Sequence, residues 1–235
     1  MLFMMMHKYD STRDVDEKPS DELIRQMGRF IGRLLKEGIM KDGNGLHRSE
    51  TRARVTFEGG APKVMRGPYE GSNELVAGFA LISTTGMERA IELATELCTA
   101  SGGREIEVGP IVEGWDLHGG KRPDNAPYRF LLLMKADATY EKTGEVSGVK
   151  PLLEQWKRDG VLTGEATLLP SSRAARGQFK GGKQHWVDGP FAESKELVAG
   201  YAIVELRSFE DARTLTIEYA TILGDVEVDI REVAA

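Results

Sequence analysis

Arg176, His185, Asp188, Glu193, Lys195 and Glu196 crowd enough ionisable groups into one short region to form a reactive site. A histidine oriented by a carboxylate acts as a general base near neutral pH, so His185 and Asp188 are the expected catalytic pair. Arg176 and Lys195 would hold an anionic group, and Glu193, Glu196 and Trp186 would complete a substrate site. His185 lies three positions before Asp188. Strand residues of opposite parity point to opposite faces, so the two meet only if the chain turns between them. His185, Asp188 and Glu193 also have ligand types suited to zinc or a harder cation, but their spacing fits no strong metal motif and no metal is expected. No cofactor is expected either: Gly102-Gly103 and Gly181-Gly182 lack the context of a phosphate loop.

These residues surround a stretch that occurs twice. Residues 188–200 read Asp-Gly-Pro-Phe-Ala-Glu-Ser-Lys-Glu-Leu-Val-Ala-Gly, and residues 66–78 read Arg-Gly-Pro-Tyr-Glu-Gly-Ser-Asn-Glu-Leu-Val-Ala-Gly. Gly-Pro punctuates a strand end in both copies. The first residue differs, Arg66 against Asp188. A turn that needed an Asp cap would have kept it in both copies, so Asp188 is free for another task. The alternative is that Asp188 caps its own turn. Lys63 and Arg66 replace His185 and Asp188 in the first copy, so chemistry is expected in the second. Glu74 and Glu196 recur and are expected to bond loop backbone N–H groups.

The repeat extends without gaps from Gly38/Gly160 to Ile82/Val204 and includes Leu46/Leu168, Ser49/Ser171, Arg54/Arg176 and Phe57/Phe179. The expected organisation is a first copy over 1–113, a Gly- and Pro-rich linker over 114–127, and a second copy over 128–235. Each copy reads β-α-β-(hairpin)-β-α-β. Apolar runs at 2–8 and 128–134 predict buried strands, and 39–47 reads as weak strand or loop. Helical spacing predicts helices from Ser20, over 87–98, from Ser147 and from Ser208. Val226, Val228 and Ile230 alternate with Glu227, Asp229 and Arg231, which predicts a last strand with one wet face. That order is the split β-α-β arrangement, an α+β fold with helices on one face of an antiparallel sheet. Two such copies can stack their bare faces as an intramolecular pseudo-dimer.

The 235 residues are 40% hydrophobic and 29% charged with a net charge of −6, an ordinary globular composition with no basic excess for nucleic acid. The opening Met1 to Met6 is too short for a signal segment, and no apolar run has the length of a membrane span. The single cysteine, Cys98, excludes an internal disulfide and reads as a buried inert thiol, which fits a cytoplasmic protein. His7, His47 and His118 stand alone in the sequence and are expected on solvated loops or strand ends.

Val187-Asp188-Gly189-Pro190-Phe191-Ala192-Glu193-Ser194-Lys195-Glu196 followed by Ala199-Gly200-Tyr201 resembles the DGPF-motif branch of the YCII-related proteins. The resemblance covers about 129–233, and 2–112 in degraded form. It implies a ferredoxin-like, dimeric α+β barrel fold, made here from two tandem repeats paired within one chain, of largely uncharacterised activity. Some relatives carry a His on the first helix; here Met27 and Val149 stand near that place. Two functional readings follow. One is an enzyme acting on a small polar organic molecule through Asp188 and His185. The other is a non-catalytic small-ligand-binding or assembly module. A small-molecule ligand is the expected partner, with no nucleic acid and no membrane, and a further homodimer stays open.

Overall fold

The computed structural model describes residues 1–9, 19–71 and 73–234. It is α+β, with two six-stranded antiparallel sheets. The chain divides into two compact units. Unit 1 takes residues 1–43, 171–192 and 196–235, and unit 2 takes 44–170 and 193–195. Each unit draws on residues from both the first and the second half of the sequence.

In unit 1 the sheet runs β10-β9-β12-β1-β11-β2. From early in the sequence come β1 (Leu2–Lys8), α1 (Asp21–Lys36) and β2 (Met40–Gly45); from late in it come β9 (Ala174–Lys180), β10 (Lys183–Asp188), β11 (Val198–Glu205), α6 (Phe209–Leu223) and β12 (Val226–Glu232). The order β12-β1-β11-β2 is the split β-α-β arrangement, and the β9–β10 hairpin extends its edge. Unit 2 repeats this with permuted connections. Its sheet runs β4-β3-β6-β7-β5-β8, built from β3 (Ala53–Glu58), β4 (Ala61–Arg66), β5 (Val76–Thr84), α2 (Met87–Ala100) and β6 (Ile106–Pro110) of the first copy with β7 (Tyr128–Lys135), α5 (Lys150–Arg158) and β8 (Leu162–Thr167) of the second. β1-α1-β2 is thus completed by β11-α6-β12, and β7-α5-β8 by β5-α2-β6.

Local sequence explains the elements. Ser20 caps α1, its hydroxyl accepting from the Leu23 N–H at 3.2 Å. Ser208 and Asp211 form a capping box on α6. In unit 1 one sheet face meets the helices: Phe3, Met5, Val204, Val228 and Ile230 pack with Phe30 and Leu34 of α1 and Ala212 and Leu215 of α6. In unit 2, Ala90, Ile91, Leu93, Ala94, Leu97 and Cys98 make the buried stripe of α2. Burial pushes the Cys98 thiol above its ordinary range, as an inert core thiol requires.

Several expectations change. The 39–47 stretch contains a regular strand. The 114–127 stretch is not featureless, for Glu113 and Asp116 cap a short helix α3 (Gly114–Leu117). A further helix, α4 (Ala138–Thr143), is started by Asp137, whose carboxylate accepts from the Tyr140 N–H at 2.7 Å. Helix α5 begins after Val149 with no side-chain cap, rather than at Ser147. The outward-reading residues of β12 are not wet: Asp229 and Arg231 are buried. Among the described residues, no helix is long and apolar enough to cross a membrane.

The repeated Gly-Pro has a steric reason in both copies. Gly189 donates to the Ala174 carbonyl at 3.0 Å and Gly67 to the Arg52 carbonyl at 3.0 Å. A Cβ at Gly189 would overlap the Ser171 carbonyl oxygen, and one at Gly67 the equivalent Ser49 oxygen. Only glycine lets the strand end lie so close to that turn. Gly189→Ala is expected to destabilise by about 3 kcal/mol, at the upper end of overpacking costs, read as a lowered midpoint in urea; an unchanged midpoint would refute the steric account.

Candidate functional site

Side chains opposite one another in an antiparallel ladder share a face. On β10, Asp188 lies opposite Ala175, Val187 opposite Arg176, Trp186 opposite Gly177 and His185 opposite Gln178. On β12, Asp229 lies opposite Arg176 and Glu227 opposite Gln178. His185, Gln178, Arg176, Glu227 and Asp229 therefore share the helix-free face. Asp188 and Trp186 lie on the helix face. The expected His185–Asp188 pair is not formed.

Asp188 instead pairs with Arg213 of α6 and is 74% exposed. Arg66 makes the equivalent contact with reversed charge: its guanidinium donates to both Glu88 oxygens, at 2.8 and 2.7 Å. Among the described residues Asp188 is thus half of a strand-to-helix ion pair, and Arg66–Glu88 is its charge-reversed counterpart. Exposed pairs of this kind contribute about 0–1 kcal/mol. Asp188→Ala is therefore expected to lower the melting temperature by no more than about 4 °C; a larger fall in calorimetry would make it a structural keystone.

The other expected site residues scatter. Trp186 is half-buried against the unit 1 core. Its ring meets Phe179 edge-on at 5.8 Å, with Arg213 4.9 Å above it. Glu193 and Lys195 belong to unit 2, where they form an exposed pair at 3.2 Å. That segment is held there by the Glu74 N–H, which donates to the Ser194 carbonyl at 2.7 Å. Glu196 stays with unit 1 and is half-buried. His185 is exposed and makes no side-chain bond among the described residues. The metal-type set His185, Asp188 and Glu193 does not converge; among the described residues, no group of three His, Cys, Asp or Glu side chains could hold a metal ion.

Arg176 does sit in a cluster. It donates from Nε to Asp229 Oδ1 at 2.6 Å and from its terminal nitrogen to Oδ2 at 3.0 Å. Glu227 lies 3.3 Å from its Nε, and the Phe191 ring 4.5 Å beneath its guanidinium. Lys8, at the end of β1, approaches Asp229 at 3.3 Å. Burial alone would raise the Asp229 carboxyl, but Lys8 and Arg176 more than offset it and hold it below the usual carboxylate range. Burial likewise opposes the charge on Arg176, and Asp229 and Glu227 outweigh it, so the guanidinium lies above its ordinary range.

Unit 2 holds the counterpart. Arg54 donates to Glu74 at 2.9 Å and stacks on the Tyr69 ring at 4.4 Å. Lys135, at the end of β7, bonds both Glu74 and Glu107, the latter at 2.7 Å. Arg52 donates to Glu107 at 2.6 Å. Burial pulls against ionisation of Glu107, yet Lys135 and Arg52 hold it below the carboxylate range; Glu107 and Glu74 likewise hold Lys135 above the ordinary ammonium range against burial. Burial, with the Glu107 charge nearby, pushes the Tyr69 hydroxyl above the phenol range. Glu74 is therefore a core ion-pair member and not a loop-backbone acceptor alone.

The Gly-Pro-aromatic stretch thus seats an aromatic ring on an arginine in both units, Arg54 buried and Arg176 mostly so. Lys8, Lys135, Glu107 and Asp229 were the residues that sequence reasoning missed. Their signal was a lysine closing each apolar opening strand and an acid inside each closing strand. His47 and His7 also find partners: His47 meets Asp116 at 3.2 Å and His7 meets the Tyr219 hydroxyl at 2.9 Å.

No curated protein and no solved structure matches the chain. With the motif, the arginine it covers and the closing strand all inside it, the segment 129–232 matches the family model of the YCII-related domain.

Proposed function

We propose that the chain is a tandem pair of YCII-related domains, a pseudo-dimer within one polypeptide, that binds a small polar organic molecule on the helix-free face of unit 1. The supporting observation is a continuous polar row on that face. It runs from Lys8, 1% exposed, through Asp229 at 3% and Arg176 at 13%, to exposed Gln178 and His185. Asp229 and Arg176 both stay charged at neutral pH, which suits recognition rather than proton transfer. The reading is therefore a ligand-binding module acting in the cytoplasm, without nucleic acid or membrane. Arg176 and His185 are its binding groups, Glu196 a wall, and Asp188, Trp186, Glu193 and Lys195 lie outside it.

A thermal-shift screen of small polar metabolites tests this. Compounds that stabilise the wild type should stabilise Asp188→Ala equally and lose their effect with His185→Ala. If Asp188→Ala abolishes the shifts while His185→Ala keeps them, the site is at the helix face and this reading fails.

A further inference from the structure

The connection from β6 to β7 is tied to the rest of unit 2 at two places only a few residues apart. The first is Glu113, whose carboxylate takes bonds from Arg129 of β7 at 2.7 and 2.9 Å. Beyond it the backbone bonds are local: Leu117 donates to Glu113, His118 to Gly114 and Gly120 to Trp115. Among the described residues, one hydrogen bond carries residues 114–120 to anything beyond Glu113. It joins the Asp116 carboxylate to His47 Nε2 at 3.2 Å. The same Asp116 oxygen accepts the Glu113 N–H at 2.8 Å and so caps α3. On the other side, the His47 backbone is fixed. Its N–H donates to the Pro110 carbonyl at 2.9 Å, and its carbonyl accepts from Arg52 Nε at 2.6 Å. Arg52 is itself buried and bonded to Glu107.

We infer that His47 and Asp116 form a pH-operated latch, which fastens residues 114–120 to unit 2 when His47 is protonated and loosens them as pH rises through the histidine range. Histidine is the side chain that changes charge near physiological pH. A second proton turns its bond to a carboxylate into an ion pair, the stronger kind. Both side chains are about one-third exposed, so the gain is that of a partly screened pair. The charges around the pair do not compete for it. Glu113 is engaged by Arg129 and Arg52 by Glu107. Arg48, next to His47 in the chain, keeps one charge across the range. His118, exposed at the end of α3, is the other group there that titrates in this window.

The test is amide hydrogen exchange of the full chain, read by NMR at Leu117, His118 and Gly120 and corrected for the intrinsic pH dependence of exchange. Protection should be about threefold higher at about pH 5.5 than at about pH 8, the size of one partly exposed ion pair. His47→Gln keeps a neutral donor and should make protection equal at the two values. His118→Gln should leave the threefold difference in place. In the wild type, the midpoint of the change in protection should coincide with the titration of the His47 ring protons. This last readout decides the matter should His47→Gln disturb the local fold. Equal protection at both values in the wild type overturns the inference. So does a difference that survives His47→Gln, one that vanishes with His118→Gln, or a midpoint that departs from the His47 titration.

Discussion

Glu107→Ala should unfold the protein far earlier than any change at the Gly-Pro motif's first residue. The Glu107 carboxylate is wholly buried and takes charge-assisted bonds from Arg52 and Lys135. Its removal leaves two buried cations with less than their complement of negative charge. Breaking a buried pair by deleting one partner costs about 3–5 kcal/mol, which for a chain of this length is a fall on the order of 10 °C in melting temperature. Glu107→Gln should lose nearly as much, because the missing quantity is charge and not volume. The pH dependence has a definite sign. The folded Glu107 pKa lies below its unfolded value, about 4.3, so its contribution is fully present above that value. It is lost as pH falls through the lower folded value. Wild type and Glu107→Gln should therefore differ by a constant amount at neutral pH and converge in strong acid. If Glu107→Ala melts with Asp188→Ala, the cluster does not hold unit 2 together.

The second large effect concerns connectivity. A protease site placed between Gly120 and Lys121, once cut, should not release two proteins. The fragment before the cut supplies β1, α1 and β2 to one sheet and β3 to β6 to the other. The fragment after it supplies β7 and β8 to the second sheet and β9 to β12 to the first. Each sheet loses its central pairing if the fragments part: β1 lies between β12 and β11, and β7 between β6 and β5. The cut protein should elute at the size of the intact chain and come apart only in denaturant. Two separate, folded halves in native buffer would show that each copy closes on itself, contrary to the sheet order.

Most elements were legible because their causes are local. Periodicity gave α1, α2 and α6, and the paired glycines Gly59-Gly60 and Gly181-Gly182 gave the hairpins, each with positive φ at both positions. The exchange of halves was not legible. Phe3 to Met6 and Phe130 to Met134 are equally apolar, and nothing in either strand states whether its neighbours come from its own copy or the other. The site was misread for a related reason. Asp229 and Arg231 alternate with Val228 and Ile230 as solvent-facing residues would. Asp229 is paired with Lys8, more than two hundred positions away, and no window of sequence contains both. The Gly-Pro motif drew attention to Asp188 because acids near turns so often do chemistry. Its better clue was the aromatic that follows, Tyr69 or Phe191, which each copy sets over an arginine.

The position of β1 also orders events during synthesis. Its partners β11 and β12 are made long after it, with the whole of unit 2's sheet in between, so β1 waits for its pairing while those strands are synthesised. Unit 2 needs nothing beyond β8 to complete its sheet and can form while translation continues. Until β12 is made, Phe3, Met4 and Met6, each almost wholly buried once folded, face solvent on a strand with two open edges, a form prone to association.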